Sequence, residues 1–79
     1  MSVFLVITVI GDDQPGLVEQ LSTTISGHGG NWLESRMAHL GGHFAGIVRV
    51  SLPMDRETAA LASLAGLKAE GLSIEAHRD

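Results

Sequence analysis

The sequence predicts an α+β sandwich in which strand, helix, strand, strand, helix and strand follow one another, forming one antiparallel sheet with both helices on the same face. Three observations carry this. An apolar, β-branched run, Val3 to Ile10, opens the chain. Two segments with helical spacing of apolar residues follow at Leu17–Ile25 and Ala60–Leu67, each ended by glycine. Between them, Gly41-Gly42 separates two strand-like runs.

Val3-Phe4-Leu5-Val6-Ile7-Thr8-Val9-Ile10 is apolar at nearly every position. Such a run reads as a central strand covered on both faces. Gly11-Asp12-Asp13-Gln14 breaks it, and Pro15 suits a first helical position with Asp13 or Gln14 as cap. Leu17, Val18, Leu21 and Ile25 then fall within an arc of about 100°, the width of a core-facing stripe. Gly27-His28-Gly29-Gly30 ends this helix.

Asn31 to Leu40 is the second strand and His43 to Leu52 the third. A two-residue turn at Gly41-Gly42 fixes their register, because a type I′ turn needs positive φ at both central residues. One face then pairs Leu33 with Val50, Ser35 with Val48, Met37 with Gly46 and His39 with Phe44; it is mostly apolar and is assigned to the core. The other pairs Trp32 with Ser51, Glu34 with Arg49, Arg36 with Ile47 and Ala38 with Ala45, as a more exposed face would.

Pro53 and Asp55 open a second helix over about Arg56–Ala69, with Ala60, Leu61, Leu64 and Leu67 on one arc, and Gly71 stops it. Leu72 to His77 alternates as a half-exposed edge strand does. The order is that of the ferredoxin-like split βαβ, for which right-handed crossovers give strand order 4-1-3-2. Helices cover only one face of this sheet, so the doubly apolar first strand calls for a second cover, and a second copy is the simplest. Trp32 is expected near the edge of that face.

Seventy-nine residues make one domain, 1–79, standing alone or as half of a tandem pair. A domain this small buries only about 60% of its unfolded surface, so its margin of stability is thin. There are no cysteines to staple it, and no apolar run approaches the roughly 20 residues of a membrane span, so a cytoplasmic setting is the default. The hydrophobic share of 44% favours a packed core, while a net charge of −4 with scattered basic residues argues against direct nucleic-acid binding. An RNA-binding module of this fold would also show aromatics on an open, basic sheet face.

Catalysis on this fold, as in acylphosphatase-like proteins, needs an arginine in the first loop to balance phosphate; Asp12 and Asp13 stand there instead, and no nucleophile–base pair is evident, so no catalytic residue is assigned. A metal-carrying relative would use Cys-x-x-Cys in that loop. His39 and His43 flank the hairpin with no carboxylate or third histidine spaced to complete a ligand set. Neither metal nor cofactor is called for.

The loop Gly11–Gly16 is the most informative stretch. The N–H groups and dipole of a helix start favour a ligand carboxylate, Gly16 admits close approach, and Asp12 and Asp13 attract an ammonium group, so together they suit a zwitterion. From chemistry alone, a plain capped helix start is the favoured reading of the same residues. Asn31, after Gly29-Gly30, offers both a donor and an acceptor, or simply ends a turn.

The run Val6 to Val18, with Asp13-Gln14-Pro15-Gly16 as D-x-P-G, resembles the opening of an ACT domain. Gly30-Asn31-Trp32, Glu34-Ser35-Arg36-Met37-Ala38 and Phe44-Ala45-Gly46 extend the resemblance to the ACT domains of the glycine cleavage system transcriptional repressor group. That resemblance implies a regulatory, non-enzymatic module that pairs through helices and sheet edges as a homodimer. It implies an amino acid or similar small effector bound where modules meet, and a regulatory protein partner in the transcriptional control of amino-acid (glycine) metabolism. Carried over residue by residue, the ligand contacts are Asp12, Asp13, Pro15, Gly16, Leu17, Asn31 and Trp32. Trp32 stands where a smaller aliphatic residue is usual, a departure that implies a partly filled or reshaped pocket. The alternative is a module that joins proteins without any small ligand.

Overall fold

The computed structural model describes residues 1–79. Strand β1, Ser2–Asp12, leads through a turn into helix α1, Leu17–Gly27; β2, Asn31–Leu40, and β3, His43–Pro53, form the hairpin. A 3-10 turn, Met54–Arg56, precedes α2, Glu57–Gly66; a second, Leu67–Glu70, precedes β4, Leu72–Arg78. The sheet runs β2-β3-β1-β4 with every neighbouring pair antiparallel, the order expected from the sequence. The second helical segment is thus a short α-helix between two 3-10 turns rather than one helix over Arg56–Ala69.

The core follows from the strand period of two. Val3, Leu5, Ile7 and Val9 of β1 are buried, as are Phe44, Val48, Val50 and Leu52 of β3. Leu17, Leu21 and Ile25 of α1, and Ala60 and Leu64 of α2, close over them. Each fully buried aliphatic chain contributes about 1.5–3 kcal/mol relative to exposure. Val18, expected on the same stripe, lies at its rim and is 39% exposed.

Within a single chain β1 is covered on one face only, as expected for a sheet with both helices on one side. Phe4, Ile10 and, across the ladder, Ile47 point away from the helices and are 44%, 52% and 52% exposed. The apolar run marks a central strand, but nothing within the chain covers its second side.

Gly41 and Gly42 have φ of 62° and 76°, the type I′ geometry, and the register they set holds from Leu40↔His43 through Glu34↔Arg49. It then breaks. A β-bulge at Leu33 moves Trp32 opposite Val50 and Asn31 opposite Ser51. Trp32 therefore packs against the core from the helix-covered side, and Leu33 is the residue turned out, 44% exposed. The assignment of these two residues to faces is reversed, because a bulge adds one residue to a strand and flips everything beyond it. Burial of the larger indole is the gain that favours the bulge.

The ends are tied by polar contacts. His28 follows the last turn of α1, and its Nε2 lies 2.9 Å from Ser63 Oγ on α2. Arg78 at the end of β4 donates to both carboxylate oxygens of Glu57 in the first turn of α2.

Candidate functional site

β1 delivers Asp12 and Asp13 to one end of the sheet, where the β2–β3 hairpin also turns. The backbone N–H of Asp13 donates to Gly42 C=O at 2.9 Å, and Gln14 N–H donates to Asp12 C=O at 2.8 Å. Both carboxylates meet a histidine of the hairpin: His39 Nδ1 lies 3.4 Å from Asp13 Oδ1, and His43 Nδ1 3.3 Å from Asp12 Oδ1. Spacing along the sequence offers these histidines no carboxylate, because only the folded sheet brings the loop against the hairpin tip. Each histidine gains one acidic neighbour, and no group of three or more His, Cys, Asp or Glu side chains gathers to hold a metal ion.

With Asp13 engaged by His39, neither it nor Gln14 caps α1. Pro15 and Gly16 form the turn, the helix begins at Leu17, and Gly16 takes the capping position in the left-handed region, φ 90°, with no side-chain cap. The first N–H groups of the helix therefore have no side-chain acceptor, and Glu19 is the acidic group in that turn. A shallow groove of about 430 Å³ runs from Gly16 along Glu19, Gln20, Thr23 and Thr24 to Leu67. A smaller one, about 240 Å³, lies beside Asp12 and His43, between Gly11, Gly71 and Ser73.

Asn31 and Trp32 are elsewhere. Asn31 pairs with Ser51, which pairs with Phe4, so the start of β2 lies at the opposite end of the sheet from Asp12. Eight residue steps along β1 separate Phe4 from Asp12, about 26 Å at the rise of an antiparallel strand. Asn31 Nδ2 donates to Ser51 Oγ at 3.4 Å, a long bond that leaves its carbonyl oxygen free of side-chain partners. Trp32 is half-buried against the core. Neither groove is lined by Asn31 or Trp32. The predicted site residues thus form two clusters, Asp12–Leu17 and Asn31–Trp32, which one chain does not bring together.

The topology contains the signal for this separation. A crossover helix returns the chain to the far end of the sheet before the next strand starts, so the loop after β1 and the first residues of β2 must lie apart. The link from Asp13 to Gly42 and His39 is the further feature: it fastens the loop to the far end of the same hairpin whose near end carries Asn31.

A family model described as ACT domain matches residues 3–77. Among solved structures, a protein described provisionally as a glycine cleavage system transcriptional repressor superposes with a TM-score of 0.92 at 26% identity, over 100% of this chain and 46% of that one. An unknown protein from Galdieria sulphuraria matches at TM-score 0.80 and 34% identity, again over 100% of this chain and 46% of its own. A formyltetrahydrofolate deformylase from Pseudomonas putida KT2440 matches at TM-score 0.80 and 20% identity, over 94% of this chain and 28% of that one, a likeness of fold. The chain thus spans about half the length of the first two of these structures. Among curated proteins none matches the sequence.

Proposed function

The chain belongs to the ACT-domain family of regulatory, small-ligand-binding modules, and from that premise we propose that it binds an amino acid or similar zwitterion between two copies paired antiparallel along their β2 edges. The observation that carries this reading is the split of the candidate residues. β2 is an edge strand with unpaired backbone groups on its outer side. Antiparallel pairing of two such edges sets Asn31 and Trp32 of one copy beside the hairpin end of the other, to which Asp13 is fastened. Two equivalent sites follow from the two-fold axis. In each, the uncapped helix start at Leu17 attracts the ligand carboxylate, Asp12 and Asp13 attract its ammonium group, and Asn31 of the other copy supplies a donor and an acceptor.

Occupancy by ligand favours the paired arrangement that completes both sites, and a partner protein reads that arrangement. The likeness to the provisionally described glycine cleavage repressor supports transcriptional control of amino-acid metabolism as the setting. With five scattered basic residues, the effect on transcription is exerted through another protein.

One observation favours a second reading, a ligand-free pairing module: both aspartates already face histidines of their own chain. Thermal shift against the twenty amino acids at millimolar concentration separates the two. A ligand bound only by the native pair stabilises by about 2.7 kcal/mol at a hundredfold excess over Kd. The expected result is a raised midpoint with at least one amino acid, lost in both Asp13→Ala and Asn31→Ala while the far-UV spectrum is kept. A midpoint unmoved by every amino acid leaves only the pairing reading, and full shifts in both variants place the site elsewhere.

A further inference from the structure

The face of the sheet away from the helices carries its charges in a pattern that matches a second copy of itself. Its side chains lie in rows across the strands. From β2 to β4 the central row is Arg36, Ile47, Thr8, Glu75, and the next is Glu34, Arg49, Val6, His77. The middle of the face is apolar or neutral except for Arg49, whose guanidinium lies 5.2 Å from the centre of the Phe4 ring and pairs with Asp79 of its own chain; Ile47 and Ile10 are each 52% exposed. The flanks are charged, and along the central row the sign reverses from Arg36 on β2 to Glu75 on β4.

We propose that this face is a second interface between copies of the chain, in which two sheets stack about a two-fold axis lying parallel to the strands and between β3 and β1. That axis places β2 of one copy over β4 of the other. Arg36 then faces the partner's Glu75, and Glu75 faces the partner's Arg36. Glu34 faces the partner's His77, and Ile47 lies over the partner's Thr8. Sheets that pack face to face stay about 10 Å apart with strands within about 30° of one another, a gap that long charged side chains span from the rim while the central residues fill it. Within one chain Arg36 and Glu75 do not meet, since three strand spacings, about 14 Å, separate them. Arg49, paired with Asp79 of its own chain, lies over the partner's Val6, and the polar rim around a mostly apolar centre has the anatomy of an interface. Four strands at about 4.8 Å over some 25 Å of length give about 500 Å² per copy, below the roughly 800 Å² of a standard interface, so association is weak and concentration-dependent.

This inference rests on the pairing reading only in treating the module as one that meets copies of itself; it uses a different surface from the β2 edge. With both contacts, the assembly grows beyond two copies as concentration rises.

The test is sedimentation equilibrium up to about 1 mM on the full chain and on Glu75→Arg, Arg36→Glu and the double variant. Glu75→Arg is the diagnostic single change, because β4 is the edge remote from β2. Opposed like charges occur twice in each symmetric pair, so each single variant is expected to weaken face association by about tenfold or more. The double variant, which exchanges the two signs, is expected to return to within about threefold of the parent. Growth that stops at two copies and ignores Glu75→Arg overturns the proposal, as does a double variant no tighter than the single ones, or no association at all. A ligand-induced thermal shift that survives in Glu75→Arg keeps the ligand reading intact whichever way this experiment falls.

Discussion

Arg78 grips Glu57 with both ends of its guanidinium: Nε donates to Oε2 at 2.9 Å and Nη2 to Oε1. The last strand is thereby tied to the first turn of α2. The hydrogen bonds from Arg78, above all, hold the Glu57 carboxyl below its ordinary value of 4.5; desolvation opposes them, and the Arg78 charge adds a lesser lowering. A carboxyl whose folded pKa is depressed adds stability above its unfolded value and loses it as pH falls through the folded one. Glu57→Gln is therefore expected to lower the melting temperature at pH 7 by a few degrees and to melt with the parent once the pH is well below 4.5. Melting curves across pH 2–7 check this; a gap that persists unchanged at the acid end assigns the loss to something other than the ion pair.

The bulge at Leu33 makes two neighbouring truncations unequal. Trp32→Ala removes an indole packed on the core and is expected to cost about 1–3 kcal/mol, less than for a fully buried aromatic. Leu33→Ala changes an exposed side chain and is expected to stay within about 0.5 kcal/mol. Urea unfolding of both variants measures the contrast. An unbroken hairpin register predicts the reverse order.

Gly46 stands opposite Met37 of β2, where there is no room for a Cβ. A Cβ there meets the Arg36 carbonyl oxygen at 2.5 Å and Met37 Sδ at 2.8 Å. Met37 can move aside, but the ladder carbonyl cannot without loss of pairing. Gly46→Ala is expected to destabilise by about 1–3 kcal/mol, read as a fall in the denaturant midpoint at constant slope.

Complementation tests whether the ligand site spans two copies. Asp13→Ala and Asn31→Ala each remove one cluster, so either variant alone is expected to give no thermal shift. Mixed pairs hold one intact site, and random exchange restores about a quarter of the sites. A partial shift from the mixture, absent from each component, supports a shared site. Binding by either variant alone at parental affinity, or a mixture that stays silent, points to a site within one copy.

Much of this molecule was legible in single residues and their spacing. Gly41-Gly42 determined the hairpin, since few other pairs accept positive φ twice, and the register followed for seven pairs from Leu40↔His43 to Glu34↔Arg49. The strand order follows from handed crossovers, and Leu17, Leu21 and Ile25 mark the face of α1 that the core takes. The bulge is not legible because Trp32-Leu33-Glu34 fits either register by pattern, and only packing against the folded core decides which large side chain goes in.

By itself the sequence determined the α+β sandwich, its turns and its core stripes, because these depend on local backbone preference and on periodicity. It also supplied the residues of both halves of the candidate site. Tertiary structure alone decided where those halves stand. Antiparallel strands convert nearness along the chain into distance across the sheet, so Asn31 lies about 26 Å from Asp12 as measured along the strand direction. The same strands convert distance along the chain into contact, so Asp13 meets His39 and Arg78 meets Glu57.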